Sequence, residues 1–430
     1  MNEVYAEEYT GDKVNDAVFK RNATLEEKYN CKIREERNTS PATVVREELI
    51  AGVYQYDYIF TGVRSLRSLS ASNLLVDFYT IDNMDLSKAW YDHNAIEGLS
   101  IAGKSYYITG DACTLDDRSA WIMFFNKDII DMSGILTTSE LYQKVYDGKW
   151  TVDLMYEIVS NTAEDKDGDG VYTVGVDRFG WIAENNTNWY MVAAAGLHIS
   201  NMSSGGDISI PPTLNADVLN AWAKLKPLLT TPLRDVSDGG DRFRKGQATF
   251  FAILLGAIVN MGNSDLNYGI LPMPKLNEEQ ADYWTTIQPG WTYGYAVPTN
   301  TDFAEDYETN GFTSGREQAC YFLEAFSYYS MNTLTVAYYE QVVKSQAVKD
   351  AESQDMLEIG LKNKLYDVVA IFNFGSIGYS IFNEAGSVGN RNGVTGSDVN
   401  YDTLVSLYES RVTAARKALQ NYINYITVED

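Results

Sequence analysis

The sequence predicts an α/β protein of two lobes, and three observations carry that expectation. The chain has 430 residues, more than one core usually serves, since domains run to roughly 100–200 residues each. Its first hundred residues alternate between helical and strand patterns. A second alternating set begins near Ala120. Strand, helix, strand at this spacing argues for a parallel sheet with helices on its faces.

The elements follow in order. Asp16 to Asn30 is amphipathic, with Val18, Phe19, Leu25 and Tyr29 on a helical period. A short strand from Cys31 to Glu35 is expected next. Ser40-Pro41 reads as an N-cap and a first-turn proline, opening a helix that runs to Ala51 and stops at Gly52. Tyr56 to Gly62 reads as a buried strand ending in a turn. Ligands of such sheets sit at the carboxyl ends of strands, which draws Thr61, Gly62 and Arg64 into view. Trp121 to Phe125 is a nearly continuous apolar strand that Asn126-Lys127-Asp128 turns into a helix. Thr151 starts another helix, with Val152, Met155 and Val159 on one face. Leu214 to Leu229 is helical, Gly246 to Asn260 strand-like and then helical, and Tyr268 to Pro274 extended. Tyr401 to Ile426 closes the chain with Leu404, Tyr408, Val412, Ala415, Leu419 and Ile423 in one stripe.

Composition excludes several functions. The balance of 34 Lys+Arg against 59 Asp+Glu gives a formal charge of −25, which disfavours nucleic acid or an anionic membrane as partner. Two histidines, His93 and His198, leave no stock for a His-rich zinc site. Cys31, Cys113 and Cys320 form no CxxC pair and read as buried free thiols. The longest apolar run, Ala248 to Met261, is shorter than the roughly 20 residues of a membrane span. Met1-Asn2-Glu3 does not open a signal peptide. The expectation is a cytosolic protein, or a mature segment whose export signal was removed. The 31 Tyr, 16 Phe and 8 Trp suit a site that covers the apolar C–H faces of a saccharide while amides, carboxylates and guanidinium groups meet its hydroxyls.

Several segments then occur in one order: Gly103-Lys-Ser-Tyr-Tyr-Ile, Trp121-Ile-Met-Phe-Phe-Asn-Lys-Asp, Trp150-Thr-Val-Asp, Asp165-Lys-Asp-Gly-Asp-Gly, Trp189-Tyr-Met-Val-Ala-Ala-Ala-Gly, Phe243-Arg-Lys-Gly-Gln-Ala, Tyr268-Gly-Ile-Leu-Pro-Met-Pro-Lys and Tyr293-Gly-Tyr-Ala-Val-Pro. Together they resemble the extracellular solute-binding proteins of carbohydrate ABC importers, the maltose-binding-protein-like group. The likeness spans nearly the whole chain. It implies a type II periplasmic-binding fold, two α/β lobes joined by a hinge. By analogy, residues 1–112 with 297–345 form lobe one, and 113–296 with 346–430 form lobe two. It further implies a monomer that captures sugar in the interlobe cleft and delivers it to a permease without chemistry. The place is the periplasm or the surface of a Gram-positive cell, where a lipidated cysteine would precede Met1. No cofactor is required.

The resemblance also nominates residues. Trp181, Glu184 and Asn186 lie at a loop that faces the cleft in the family; the rival reading is a surface Trp with capping polar groups. Trp291 and Tyr293 sit where the chain recrosses between lobes, as stacking rings or as hinge packing. Gly290 and Gly294 there would admit close approach of a ligand. Where maltose binders carry an aromatic and an acid, this chain has Thr61 and Arg64, which points to another sugar, one with a carboxylate among the choices. Asp111 ends a strand at a crossing and offers hydroxyl acceptors or simply a turn. Phe374 belongs to a segment brought to the cleft in the family, or to the core. Asp165, Asp167 and Asp169, followed by Gly170, copy the first half of a calcium loop. Val176 stands where the closing Glu is expected, leaving the Val171 carbonyl and Asp177 to complete a variant Ca²⁺ site, or an acidic turn needing no metal. Two other functions stay open: a glycoside hydrolase, for which Asp111 and Glu184 are nominees, and a calcium-dependent adhesion module.

Overall fold

A computed structural model describes residues 3–184, 187–203, 206–236, 239–261, 264–340, 348–385 and 401–428. In chain order its strands are β1 (Ile59–Gly62), β2 (Trp121–Asn126), β3 (Phe179–Ile182), β4 (Asn201–Met202), β5 (Ile208–Ser209), β6 (Arg234–Asp235), β7 (Ala248–Leu254), β8 (Tyr268–Leu271), β9 (Thr285–Thr286), β10 (Tyr293–Ala296) and β11 (Lys364–Leu365).

The larger sheet has the order β6-β3-β7-β2-β8. β3 runs parallel to β6 and β7, while β2 is antiparallel to β7 and β8. Every residue of β2 is buried, because both faces of the sheet are covered, and such strands read as unbroken apolar runs. On one face lies the helix Val152–Thr162, capped by the Thr151 side chain and burying Met155, Ile158 and Val159. The helix Lys127–Met132 follows β2 directly, with Asn126 as its N-cap.

The smaller sheet corrects an expectation. β1 pairs antiparallel with β10, in the register Thr61↔Gly294 and Gly62↔Tyr293, and single bridges Ile108↔Tyr295 and Leu75↔Pro298 extend it. The parallel sheet expected of the first hundred residues is not formed, since Cys31 to Glu35 is extended without a ladder partner. β1 pairs instead with a segment more than 200 residues away, a choice local pattern cannot foresee. Pairing with β1 sets Tyr293–Ala296 against Ile59–Gly62, next to the expected boundary at 296/297. The boundary at 345/346 lies outside the described residues.

Helix ends follow sequence closely. Pro41–Ala51 starts after Ser40 and stops at Gly52, whose φ of 67° is the left-handed conformation glycine adopts without strain. The terminal helix Tyr401–Thr427 buries Leu404, Tyr408, Val412, Ala415 and Leu419. It packs on the turn Phe374–Ser376 and on the helix Tyr379–Ala385. Near its end the Tyr422 hydroxyl lies 2.8 Å from Ser70 Oγ and 2.9 Å from the Tyr107 hydroxyl. An apolar core runs from Val63, Leu66 and Leu69 through Phe372 to Trp181, Trp189 and Trp222. The three cysteines are free, Cys113 and Cys320 buried. No helix among the described residues is long and apolar enough to cross a membrane.

Candidate functional site

The segments Asp111–Ser119 and Gln288–Tyr293 touch. Gln288 N–H donates to Ser119 O at 3.0 Å, and Ser119 Oγ donates to Trp291 O at 3.1 Å. Between them the turn Pro289–Trp291 is held by Trp291 N–H on Gln288 O at 2.8 Å. With the backbone fixed from both sides, the indole is left 55% exposed. Of eight tryptophans it alone is exposed. Gly294 makes room for the sheet, not for a ligand: a Cβ there would lie 3.0 Å from Ile108 O.

Next to this turn is the start of the helix Val63–Ser70, because Val63 N–H donates to Thr292 O at 2.8 Å. From that helix Arg64 and Arg67 reach to the end of the helix Val368–Phe372. Arg64 Nε donates to Ile371 O at 2.8 Å and Arg67 Nη1 to Phe372 O at 2.6 Å, as cations at a helix carboxyl end do. The Arg64 guanidinium stands 5.9 Å from the centroid of the Tyr379 ring. Burial, with the like charge of Arg64 a smaller contributor, pulls Arg67 below its ordinary pKa. Val368–Phe372 also packs on the Pro289–Trp291 turn, so Trp291, Arg64 and Tyr379 border one seam.

The other nominated residues divide. Thr61 is buried in β1, and Tyr293 is half-buried with its ring 5.7 Å from that of Phe60. Trp181 requires correction: it is fully buried in β3 with the Arg234 guanidinium 4.8 Å over its ring, leaving no face for a solute in this conformation. Phe374 is likewise a core residue, packed on Phe372 and Tyr422 under Arg67. Glu184 is exposed, and its carbonyl accepts from Arg234 Nη2 at 2.6 Å. Asn186 lies outside the described residues.

Asp111 belongs to a hinge cluster that sequence reasoning missed. Burial lifts its carboxyl to about 6, and the charge of Asp117 adds to the rise. Beside it Lys364 Nζ lies 2.6 Å from Asp92, 3.2 Å from Asp116 and 2.7 Å from Asp117. The Tyr366 hydroxyl donates to Asp92 at 2.8 Å, and the Tyr339 hydroxyl donates to Asp117. Burial opposes the charge on Lys364, yet the three aspartates outweigh it and hold its pKa well above the usual value. Only the Asp116-Asp117 doublet was visible in sequence. Arg67 had a better signal: it lies three residues from Arg64, hence on the same helix face.

In the acidic loop Asp165, Asp167 and Asp177 bring carboxylate oxygens within 4.8 Å of one another. Asp165 accepts N–H groups from Gly168 and Gly170, and the Gly170 bond leads in holding it below the usual carboxylate range. For Asp167, the Asp169 N–H favours the ion, but desolvation and the charges of Asp169 and Asp177 outweigh it and raise the carboxyl. Asp177 is fully buried and accepts from Lys166 and Thr173 N–H. Asp169 stands outside the group of three, its Oδ1 taking the Val171 N–H at 2.7 Å. Three convergent carboxylates are a hard-oxygen donor set of the kind Ca²⁺ prefers, and each oxygen keeps a second lone pair for a cation.

No family model and no curated protein matches this sequence. Solved structures do. The chain is similar to a cyclo/maltodextrin-binding protein complexed with maltotetraose, at 14% identity and a TM-score of 0.56, covering 97% of this chain and 94% of that one. It is similar also to UgpB from Mycobacterium tuberculosis in complex with glycerophosphocholine, at 15% identity and a TM-score of 0.54, with 96% and 97% covered. Likeness over the full length of both proteins, with the mixed five-stranded sheet and the paired crossings, shows that this chain has the type II periplasmic-binding fold.

Proposed function

We propose that the protein captures a sugar or oligosaccharide in the groove between its lobes and passes it unaltered to the permease of an ABC importer. One observation carries the reading: the single exposed indole, Trp291, is held on a turn tied to Ser119. A flat ring held there covers the apolar face of a pyranose, and closure of the lobes over the ligand stabilises the closed population. Tyr293, Arg64 and Asp111 border the same junction, and Glu184 would meet the solute from the opposite lobe. The fold shared with binders of maltotetraose and glycerophosphocholine supports a binding role.

The remaining parts of the proposal follow from that role. The protein acts as a monomer outside the membrane, anchored by lipid or free in a periplasm. Its lobes are 1–112 with 297–345 and 113–296 with 346–430. The acidic loop holds a structural Ca²⁺ through Asp165, Asp167 and Asp177, with the Val171 carbonyl and Asp169 as outer contributors.

The test is calorimetric titration with a panel of oligosaccharides, followed by chromatography of the mixture. Binding with the glycan recovered intact supports the proposal. Cleaved product would replace it with the hydrolase reading.

A further inference from the structure

Arg64 and Arg67 are at odds with the chain around them. The protein has 59 acidic against 34 basic residues, so although Arg21, Arg46 and Arg234 bond neutral oxygens, a guanidinium group can readily find a carboxylate. Arg178, Arg242, Arg316 and Arg411 each do. Yet among the described residues no carboxylate lies within 4.0 Å of Arg64 or Arg67, and they donate instead to the carbonyls of Ile371 and Phe372. Arg64 is only partly satisfied by that arrangement. Its Nε is engaged, while its Nη2 is buried with no hydrogen-bond acceptor. A charged donor in that state has a high desolvation cost and is rare in native structures unless a ligand completes it. The place is telling as well: Arg64 is the second residue after β1, at the seam bordered by Trp291 and Tyr379.

We infer that the solute carries an oxyanion, a carboxylate or a phosphate, and that the unengaged edge of Arg64 binds it. This rests on the groove reading above and narrows it from sugars in general to anionic solutes. The guanidinium presents parallel N–H groups at the spacing of two oxyanion oxygens. Fixing Nε on Ile371 O and resting the plane near Tyr379 sets that fork before the ligand arrives. Arg67, one helical turn on, adds positive potential without competing for the ligand, since its Nη1 is tied to Phe372 O. The surplus of negative charge elsewhere does not prevent entry, because at physiological ionic strength charges beyond about 8 Å are largely screened.

The experiment compares matched probes by calorimetry: a galacturonate trimer against a galactose trimer, and glycerol 3-phosphate against glycerol. The first pair tests a carboxylate source and the second a phosphate source. One anionic member should bind roughly 10- to 100-fold more tightly than its neutral match, with affinity falling as salt rises. Arg64→Gln should erase that preference and the salt dependence, and Arg64→Lys should keep the salt dependence but lose most of the preference, having charge without the fork. If the neutral member binds as well as the anionic one, and Arg64→Gln changes neither, the oxyanion inference is overturned while the groove reading stands. If no probe and no neutral oligosaccharide binds, and Trp291→Ala changes nothing, the groove reading itself falls and this inference with it.

Discussion

Lys364 Nζ lies 2.6 Å from the Oδ2 of Asp92, and Asp92 caps the helix His93–Leu99 by accepting the Ala95 N–H. One lysine thus ties the start of that helix to Asp116 and Asp117. Replacing Lys364 by Met would leave three aspartates facing one another in a buried space. Removing one partner of such a group typically costs about 3–5 kcal/mol. Chemical denaturation of Lys364→Met should show a loss of that size, and a loss below about 1 kcal/mol would mean the cluster is hydrated.

Asp111 gives a dependence on pH. Its folded-state pKa of about 6 lies above the unfolded value, so between those two values the folded state binds more protons. Stability from this group is therefore full in acid and is lost as pH rises from about 4 to about 6. Asp111→Asn should flatten that descent and stabilise the protein at pH 7 by something of order 2 kcal/mol. Melting curves of both proteins across this range check the sign.

Trp291→Ala should melt within about 2 °C of the parent, because an exposed ring adds little to stability. Affinity for the cognate solute should fall at least about 10-fold. Unchanged affinity in titration would place the binding surface elsewhere.

The acidic loop predicts a rise in Tm with Ca²⁺. At 100 times the dissociation constant, binding to the folded state alone contributes about 2.7 kcal/mol. Asp167→Asn should abolish the rise without altering the metal-free Tm, since Asp167 is exposed. Asp177→Asn should lower the metal-free Tm too, because its buried carboxylate ties Lys166 and Thr173. Equal midpoints with calcium and with chelator would dispose of the site.

What sequence could and could not reveal divides along contact distance. β2 and the terminal helix were readable because their periodicity records local burial. The capped helix Pro41–Ala51 was readable because its stop signals are adjacent residues. The misplaced Trp181 shows the opposite case: what covers its ring is Arg234, 53 positions later, and nothing beside Trp181 announces it. β1 likewise draws its partner from β10, and the buried cluster gathers Asp92, Asp116, Asp117 and Lys364 from three distant stretches. The exposure of Trp291 depends on Ser119 and Gln288 fixing the turn, contacts that no neighbouring residue announces.

The trio of hydroxyls on Ser70, Tyr107 and Tyr422 restricts how the molecule can move. The terminal helix leans on Phe374–Ser376 and is also fastened, through Tyr422, to the half that contains β1. The Tyr422 phenol thus adds a tie to those that the chain itself makes. A helix held both along its length and near its end resists sliding past the groups it touches.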